Sequence, residues 1–398
     1  MLALTSISSL QSHPLHTLKC SLFMIKVIVA FGTRPEAIKL APVVKALQSR
    51  PDLFTTVVCA TSQHRQMLDQ ALAVFALKPD YDLDVMAPNQ TLTSTAARVM
   101  ERFDQVLATE QPDWVLVQGD TTTVLAASLA AFYRKVKVGH VEAGLRSGDR
   151  NNPFPEEVNR RLADVIADLH FAPTESSRDC LLREGVPTWR VSVTGNTVID
   201  ALLEIVARPY EPEPGALRDV WQTKRRIVLV TAHRRESFGA PLREMFAALR
   251  DIATAYANDV TIVYPVHLNP QVMEAANEVL TGVSNILLLP PLDYVAFVHL
   301  MQRAYLILTD SGGIQEEAPS LGRPVLVMRD VTERPEGITA GTALLVGSNR
   351  QRIVGAVSTL LDDTRAYSAM ANAVNPYGDG TASQRIVQAL LTYQPSSP

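Results

Sequence analysis

The sequence predicts an α/β protein made of two Rossmann-like domains whose parallel sheets flank a central cleft. Three observations carry that expectation. Short β-branched apolar runs alternate with longer amphipathic stretches from Lys26 onward, the rhythm of βαβ units. The rhythm restarts at Arg226. The chain has 398 residues, more than one ordinary core accommodates, and its 47% hydrophobic and 20% charged residues match a globular protein.

In chain order, residues 1–23 lack the basic start and continuous apolar stretch of a secretory signal and read as a disordered extension. Met24 directly precedes the first strand and is the expected functional start. The first domain is expected over 24–196, with strands at 26–30, 55–60, 114–118, 137–141, 168–172 and 191–194. The second is expected over 197–376, with strands at 226–231, 260–264, 285–289, 304–309 and 324–327. Pro209, Pro212 and Pro214 mark either the hinge or a loop inside the second domain. Open parallel sheets bind ligands beyond the carboxyl ends of their strands, so residues just after strands are the candidates for chemistry.

Composition excludes several function classes. A net charge of -4 leaves no basic surplus for a nucleic-acid backbone or an anionic membrane, so an anionic ligand has to be held by local charges. Cys20, Cys59 and Cys180 are an odd, widely spaced set without a CxxC pair, which favours a reduced, cytoplasmic setting over a disulfide framework or zinc cluster. No apolar run reaches the roughly 18 residues of a membrane span. Neither GxGxxG nor GxxxxGK[ST] occurs, against a nicotinamide cofactor and a P-loop kinase, and a nucleotide-sugar remains the natural ligand. His64, His140, His233 and His267 show no metal-ligand spacing, so no metal or cofactor is expected.

The candidate residues follow strands. Thr33 and Glu36 have capping-box spacing with Pro35 in the first helical turn, and that helix start, with Arg34 and Lys39, would attract a diphosphate. Asp120, beside Gly119, is either an N-cap or a ligand-facing acid. Glu142 is either a site carboxylate or the partner of Arg146. Glu156 and Glu157 fall in a helix's first turn, where acids favour the dipole in any case. Three acids at ligand-facing loop ends are what proton removal and return at carbon require. In the second half, His233 is placed for proton transfer and His267 toward a phosphate. Ser311, Gly312 and Gly313 open a helix as a second phosphate cradle, and Glu317 stands one turn on, suited to ribose hydroxyls.

From about Met24 to the C-terminus the chain resembles the non-hydrolysing UDP-N-acetylglucosamine 2-epimerases, relatives of the GT-B glycosyltransferases. The resemblance rests on FGTRPEAIKLAPV, TSQHRQML, QGDTTTVLAA, HVEAGLRSGD, PFPEEVNRRLAD, VTGNTVID, TAHRRES, YPVHLNP, TDSGGIQEEAPSLGRPVLVMRDVTERPEG and NPYGDGTASQRI. It implies a GT-B-like cleft, a homodimer, and a last segment, 377–398, whose helix crosses back onto the first domain. It implies reversible epimerisation at carbon 2 through UDP elimination and re-addition, feeding surface polysaccharide or another mannosamine-containing glycan. Hydrolysing epimerases and GT-B transferases share much of this pattern. In the resemblance Asp120, Glu142, Glu156 and His233 match catalytic positions. Arg34, Lys39, His267, Ser311, Gly312, Gly313 and Glu317 lie around UDP, and Phe297 near uracil. Gln63, Gln66 and Arg234 resemble part of an activating second site, although Asn89 stands near where an arginine of that site is expected.

Overall fold

The computed structural model describes residues 24–62, 65–87 and 90–394; the expected extension 1–23 lies outside them. Seven parallel strands form the first sheet: β1 (Ile25–Phe31), β2 (Phe54–Ala60), β3 (Tyr81–Asp82), β4 (Trp114–Gln118), β5 (Lys137–Val141), β6 (Leu169–Ala172) and β7 (Val191–Val193). Their spatial order is β3-β2-β1-β4-β5-β6-β7. Six more form the second: β8 (Arg226–Thr231), β9 (Val260–Pro265), β10 (Ile286–Leu289), β11 (Leu306–Thr309), β12 (Val325–Val327) and β13 (Ala343–Leu345). Their order is β10-β9-β8-β11-β12-β13. In each sheet the winding reverses beside the first strand, between β1 and β4 and between β8 and β11. Such switch points open crevices at the strands' carboxyl ends.

The inner strands β1, β4, β8 and β11 are largely apolar because both faces of each sheet are covered. Val27, Val29 and Phe31 of β1 enter one core while Ile28 and Ala30 enter another. Likewise Ile227 and Leu229 of β8 face one side and Val228 and Val230 the other. One core is common to both sheets, joined through Ala201, Leu202 and Ile205 of the helix Thr197–Val206. The edge strands β3 and β13, only two and three residues long, had no expected counterpart.

The proline-rich stretch connects the helix Thr197–Val206 to the helix Ala216–Gln222. The last helix, Ala382–Thr392, packs Ile386, Val387 and Leu390 into the common core beside Leu40 and Val44 of the helix Arg34–Gln48. Its start is fixed by Asp200, whose carboxylate accepts from Ser383 N at 2.8 Å and Ser383 Oγ at 2.6 Å. Beyond it, Tyr393 meets Trp114 edge-on at 4.9 Å. Among the described residues no helix is long and apolar enough to cross a membrane.

Candidate active site

At the first switch point the chain leaves β1 through Gly32. A Cβ there would lie 2.2 Å from Thr61 Oγ1 and 2.4 Å from Thr123 Oγ1, so no side chain fits. Glu36 then folds back, accepting from Gly32 N at 2.8 Å, Thr33 N at 2.7 Å and Thr121 Oγ1 at 2.5 Å. The capping box is present. Its carboxylate takes the amides of Gly32 and Thr33, just before the helix, and Pro35 has no amide hydrogen to offer.

A cavity of about 270 Å³ opens above this point, lined by Lys39, Asp120, Glu142 and Arg160 of the first domain and Arg334 of the second, among others. Asp120 and Glu142 meet there because β4 and β5 are neighbours. Glu142 is left-handed, with φ of 66°, a conformation uncommon outside glycine that turns its carboxylate toward the switch point. Both oxygens accept from Lys39 Nζ, at 2.8 and 2.7 Å, and Gln118 Nε2 and Asn196 Nδ2 also donate to them. Burial by itself would raise the carboxyl's pKa, but Lys39, with Arg334 and Arg160 behind it, outweighs burial and holds it below the ordinary range. Lys39 is the converse case: burial disfavours its charge, yet Glu142 and Glu316 hold it above the usual lysine range.

Two competing roles for these acids drop out. Arg146 pairs with Asp164 at 2.7 Å and Glu184 at 2.6 Å, not with Glu142. The N-cap of the helix Thr122–Tyr133 is Thr121, which accepts from Val124 N at 3.4 Å, and not Asp120. Asp120 instead takes a hydrogen bond from Arg160 through its side chain and one from Asn159 Nδ2, at 3.0 Å, through its carbonyl. Glu156 opens the helix Glu156–Ile166, half-buried, and is not part of the cavity lining. Its neighbour Glu157 is fully buried, accepts from Ser147 N at 3.0 Å and lies 3.4 Å from Arg160 Nη1.

The second switch point repeats the plan. His233 follows β8 and Asp310 follows β11. Asp310, fully buried, accepts from the amides of His233 at 2.5 Å and Arg234 at 2.7 Å, and its Oδ1 lies 3.2 Å from His233 Nδ1. Burial works to protonate it, but the contacts with His233 and the Arg234 amide prevail and its pKa stays low. His267 stacks on His233 with ring centroids 5.3 Å apart. Its own pKa is lowered, by burial first and by His233 second.

Ser311 caps the short helix Gly312–Glu317. A Cβ on Gly312 would stand 3.9 Å from both Arg234 Nη2 and Arg334 Cζ, so two guanidiniums flank this turn. Burial, then the charge of Glu316, pushes Glu317 up to about 8, against the pull of Lys39. Glu317 and Arg34 both act on the buried hydroxyl of Tyr294, at the start of the helix Tyr294–Arg303 that carries the half-buried Phe297. Gln63 lies outside the described residues, and Gln66 is described only as backbone in the helix Arg65–Phe75.

The residues that join the two halves were not among the sequence candidates. Asn196 Nδ2 donates to Glu142 Oε1 at 3.2 Å and to Glu316 Oε2 at 2.8 Å, and Arg334 pairs with Glu316. Lys39, Glu142, Asn196, Glu316 and Arg334 thus form a chain of hydrogen bonds and ion pairs across the cleft, with two positive and two negative charges. The cavity can stabilise negative charge on a bound ligand through Lys39, Arg160 and Arg334 and presents the carboxylates of Asp120 and Glu142 for proton transfer.

The family described as UDP-N-acetylglucosamine 2-epimerase matches residues 45–391. A protein of Yersinia pestis bearing that name is 56% identical over 376 residues, covering 93% of this chain and 99% of the relative. One of Escherichia coli K12 is 56% identical over 371 residues, covering 92% and 98%. The crystal structure of a UDP-GlcNAc 2-epimerase from Neisseria meningitidis, bound to UDP-GlcNAc, superposes with a TM-score of 0.82 at 47% identity, covering 93% of this chain and all (100%) of the other.

Proposed function

The chain belongs to the UDP-N-acetylglucosamine 2-epimerase family, and from that premise we propose that it interconverts UDP-N-acetylglucosamine and UDP-N-acetylmannosamine without net hydrolysis. The observation that carries the reading is the meeting of Asp120 and Glu142 in one cavity with Lys39, Arg160 and Arg334. Carbon 2 of the sugar is not adjacent to a carbonyl, so its proton is not acidic enough for direct removal. Departure of UDP offers the route. A carboxylate takes the carbon 2 proton as the bond from carbon 1 to the UDP oxygen breaks, giving 2-acetamidoglucal. UDP then adds back to carbon 1 while a proton arrives on the opposite face of carbon 2.

Asp120, Glu142 and Glu156 supply these proton transfers, and closure of the domains over the sugar retains the intermediate. His233, oriented by Asp310, assists at the leaving group. Arg34, Lys39, His267 and the turn Ser311–Gly312–Gly313 hold the diphosphate and stabilise the charge that develops on it. Phe297 lies against uracil and Glu317 accepts from the ribose hydroxyls. The bound UDP-GlcNAc of the Neisseria meningitidis structure supports a UDP-sugar as the ligand. Gln63, Gln66 and Arg234 line a second UDP-N-acetylglucosamine site, and the enzyme works as a cytoplasmic homodimer.

Incubation with UDP-N-acetylglucosamine in deuterium oxide, followed by NMR, tests the reaction. Deuterium at carbon 2 and the anomeric signal of the manno epimer are expected. Accumulation of free UDP with N-acetylmannosamine would establish a hydrolysing enzyme instead, and turnover only with an added acceptor would establish a transferase. Supplying UDP-N-acetylmannosamine alone, then with a trace of the other epimer, tests the second site.

A further inference from the structure

Beneath the cavity floor His140 sits fully buried on β5 with an oxygen against each ring nitrogen. Nε2 lies 2.7 Å from the carbonyl oxygen of Gly119, and Nδ1 lies 2.6 Å from Oδ1 of Asp164. A carbonyl oxygen only accepts, so Nε2 carries a proton. The second contact asks which partner holds the proton between Nδ1 and Asp164. The other oxygen of Asp164 answers it, taking hydrogen bonds from Arg146 Nη2 at 2.7 Å and Gly144 N at 3.3 Å. A carboxylate facing a guanidinium and a backbone amide is ionised. Burial opposes that charge, but His140 and Arg146 overcome it and hold the Asp164 carboxyl down at about 2. Nδ1 is therefore also a donor. Neutral imidazole has one N–H, and two donations require the cation.

The neighbouring His170 shows the contrast. It makes one firm contact, Nε2 to the carbonyl of Asp164 at 2.7 Å, and one long one of 3.3 Å to the carbonyl of Arg190. Burial holds its pKa down, against the charge of Asp164. The charged groups around His140 are thus Asp164 and Arg146 on one side and Asp120, with Arg160 and Glu157 before it, on the other.

The residue that His140 grips is the one before Asp120. Gly119 is left-handed, with φ of 80°, and its amide donates to Val141 O at 3.0 Å while its carbonyl accepts from His140. The two peptide units that flank the Gly119 Cα are thus each held by β5, which constrains the direction in which the next side chain leaves the turn. We propose that His140 is a permanent imidazolium, held by Asp164, that positions the Asp120-bearing turn of the active site and places a fixed positive charge behind it. The positioning half rests on the catalytic reading of Asp120. The charge itself does not.

The experiment has two arms on the full chain. In the unmodified protein, nitrogen NMR with labelled histidine is expected to show protons on both His140 nitrogens at neutral pH and still at about pH 8.5, where an ordinary histidine is neutral. A single protonated nitrogen at neutral pH would overturn the proposal, and this arm needs no variant to fold. In the second arm, His140→Gln keeps one donor but no charge. Its kcat is expected to fall about tenfold or more with KM within about threefold, the signature of a group acting on the transition state and not on ground-state binding. An unchanged kcat, or a raised KM at full kcat, overturns positioning. Asp120→Asn is assayed alongside: full turnover there overturns the positioning claim at its premise, whereas lost turnover there with an unchanged His140→Gln kcat overturns positioning alone.

Discussion

The ammonium of Lys39 lies 2.8 and 2.7 Å from the two carboxylate oxygens of Glu142. The two residues are 103 positions apart in sequence and meet because β1 and β4 diverge at the switch point, with β5 next to β4. Removing either partner leaves the other charged in a poorly hydrated place.

Lys39→Met is accordingly expected to destabilise the protein by about 3 kcal/mol at neutral pH, read from denaturant unfolding. The pH dependence follows from the directions of the two shifts. Glu142, depressed in the fold, contributes stability above its ordinary 4.5 that is lost as pH falls through its folded value. Lys39, raised in the fold, contributes stability below its ordinary 10.5 that is lost as pH rises through its folded value. The gap between wild type and variant should be widest between these limits and should shrink in acid. A gap independent of pH would show that the pair contributes packing only.

Asp120→Asn and Glu142→Gln each remove a proton acceptor while keeping shape. Turnover should fall by about 10²- to 10⁴-fold, while UDP affinity measured by calorimetry stays within about fivefold. Loss of UDP binding on the same scale as turnover would reassign the residue to the nucleotide.

Glu156→Gln and Glu157→Gln separate chemistry from scaffolding at adjacent positions. Glu157 supports Ser147 and Arg160 from a fully buried site, so its amide variant should lower the melting temperature. Glu156 has a more accessible carboxylate, so its variant should keep the melting temperature and lose at least about tenfold in kcat. Reversed effects would exchange the two roles.

Glu317, pushed up to about 8 by burial and Glu316, costs the empty protein stability when it ionises. The stability tied to its neutral form is complete below 4.5 and is lost as pH rises through about 8. Glu317→Gln should therefore melt a few degrees higher than wild type at alkaline pH and equally in acid, since partial solvent access screens part of the effect. The same variant should bind UDP more weakly. Equal melting across the range would show that Glu317 is not desolvated in solution.

The two sheets were legible because their longer inner strands are runs of four to seven mostly apolar residues, as in β1, β4, β8 and β11, the first two followed directly by glycine. β3 and β13 were not: β3 is only Tyr81 and Asp82, and β13, Ala343–Leu345, has no β-branched residue, whereas the equally short β7 and β12 carry valines. Asp120, Glu142, His233 and Ser311 were found by one rule, their place after strands. The same rule points to Asn196, two residues beyond the expected strand 191–194, but not to Glu316 or Arg334, whose meeting with it depends on how two domains dock. Asp310 was not among the candidates for a different reason: it stands inside the glycine turn read as a phosphate cradle, where an acid would repel the anion. Its partners are backbone amides of His233 and Arg234, and no side-chain spacing encodes them.

The last helix has a consequence for synthesis. Ile386, Val387 and Leu390 complete a core that also contains Leu40, Val44 and Leu47. A ribosome making this protein delivers the opening segment of the first domain early and its closing segment last. Until the helix Ala382–Thr392 emerges, the surface of the helix Arg34–Gln48 that receives it stays uncovered, and a nascent chain carries that apolar stripe through the making of the whole second domain. Loss of the helix Ala382–Thr392 would therefore be felt first on a helix made more than 300 residues earlier.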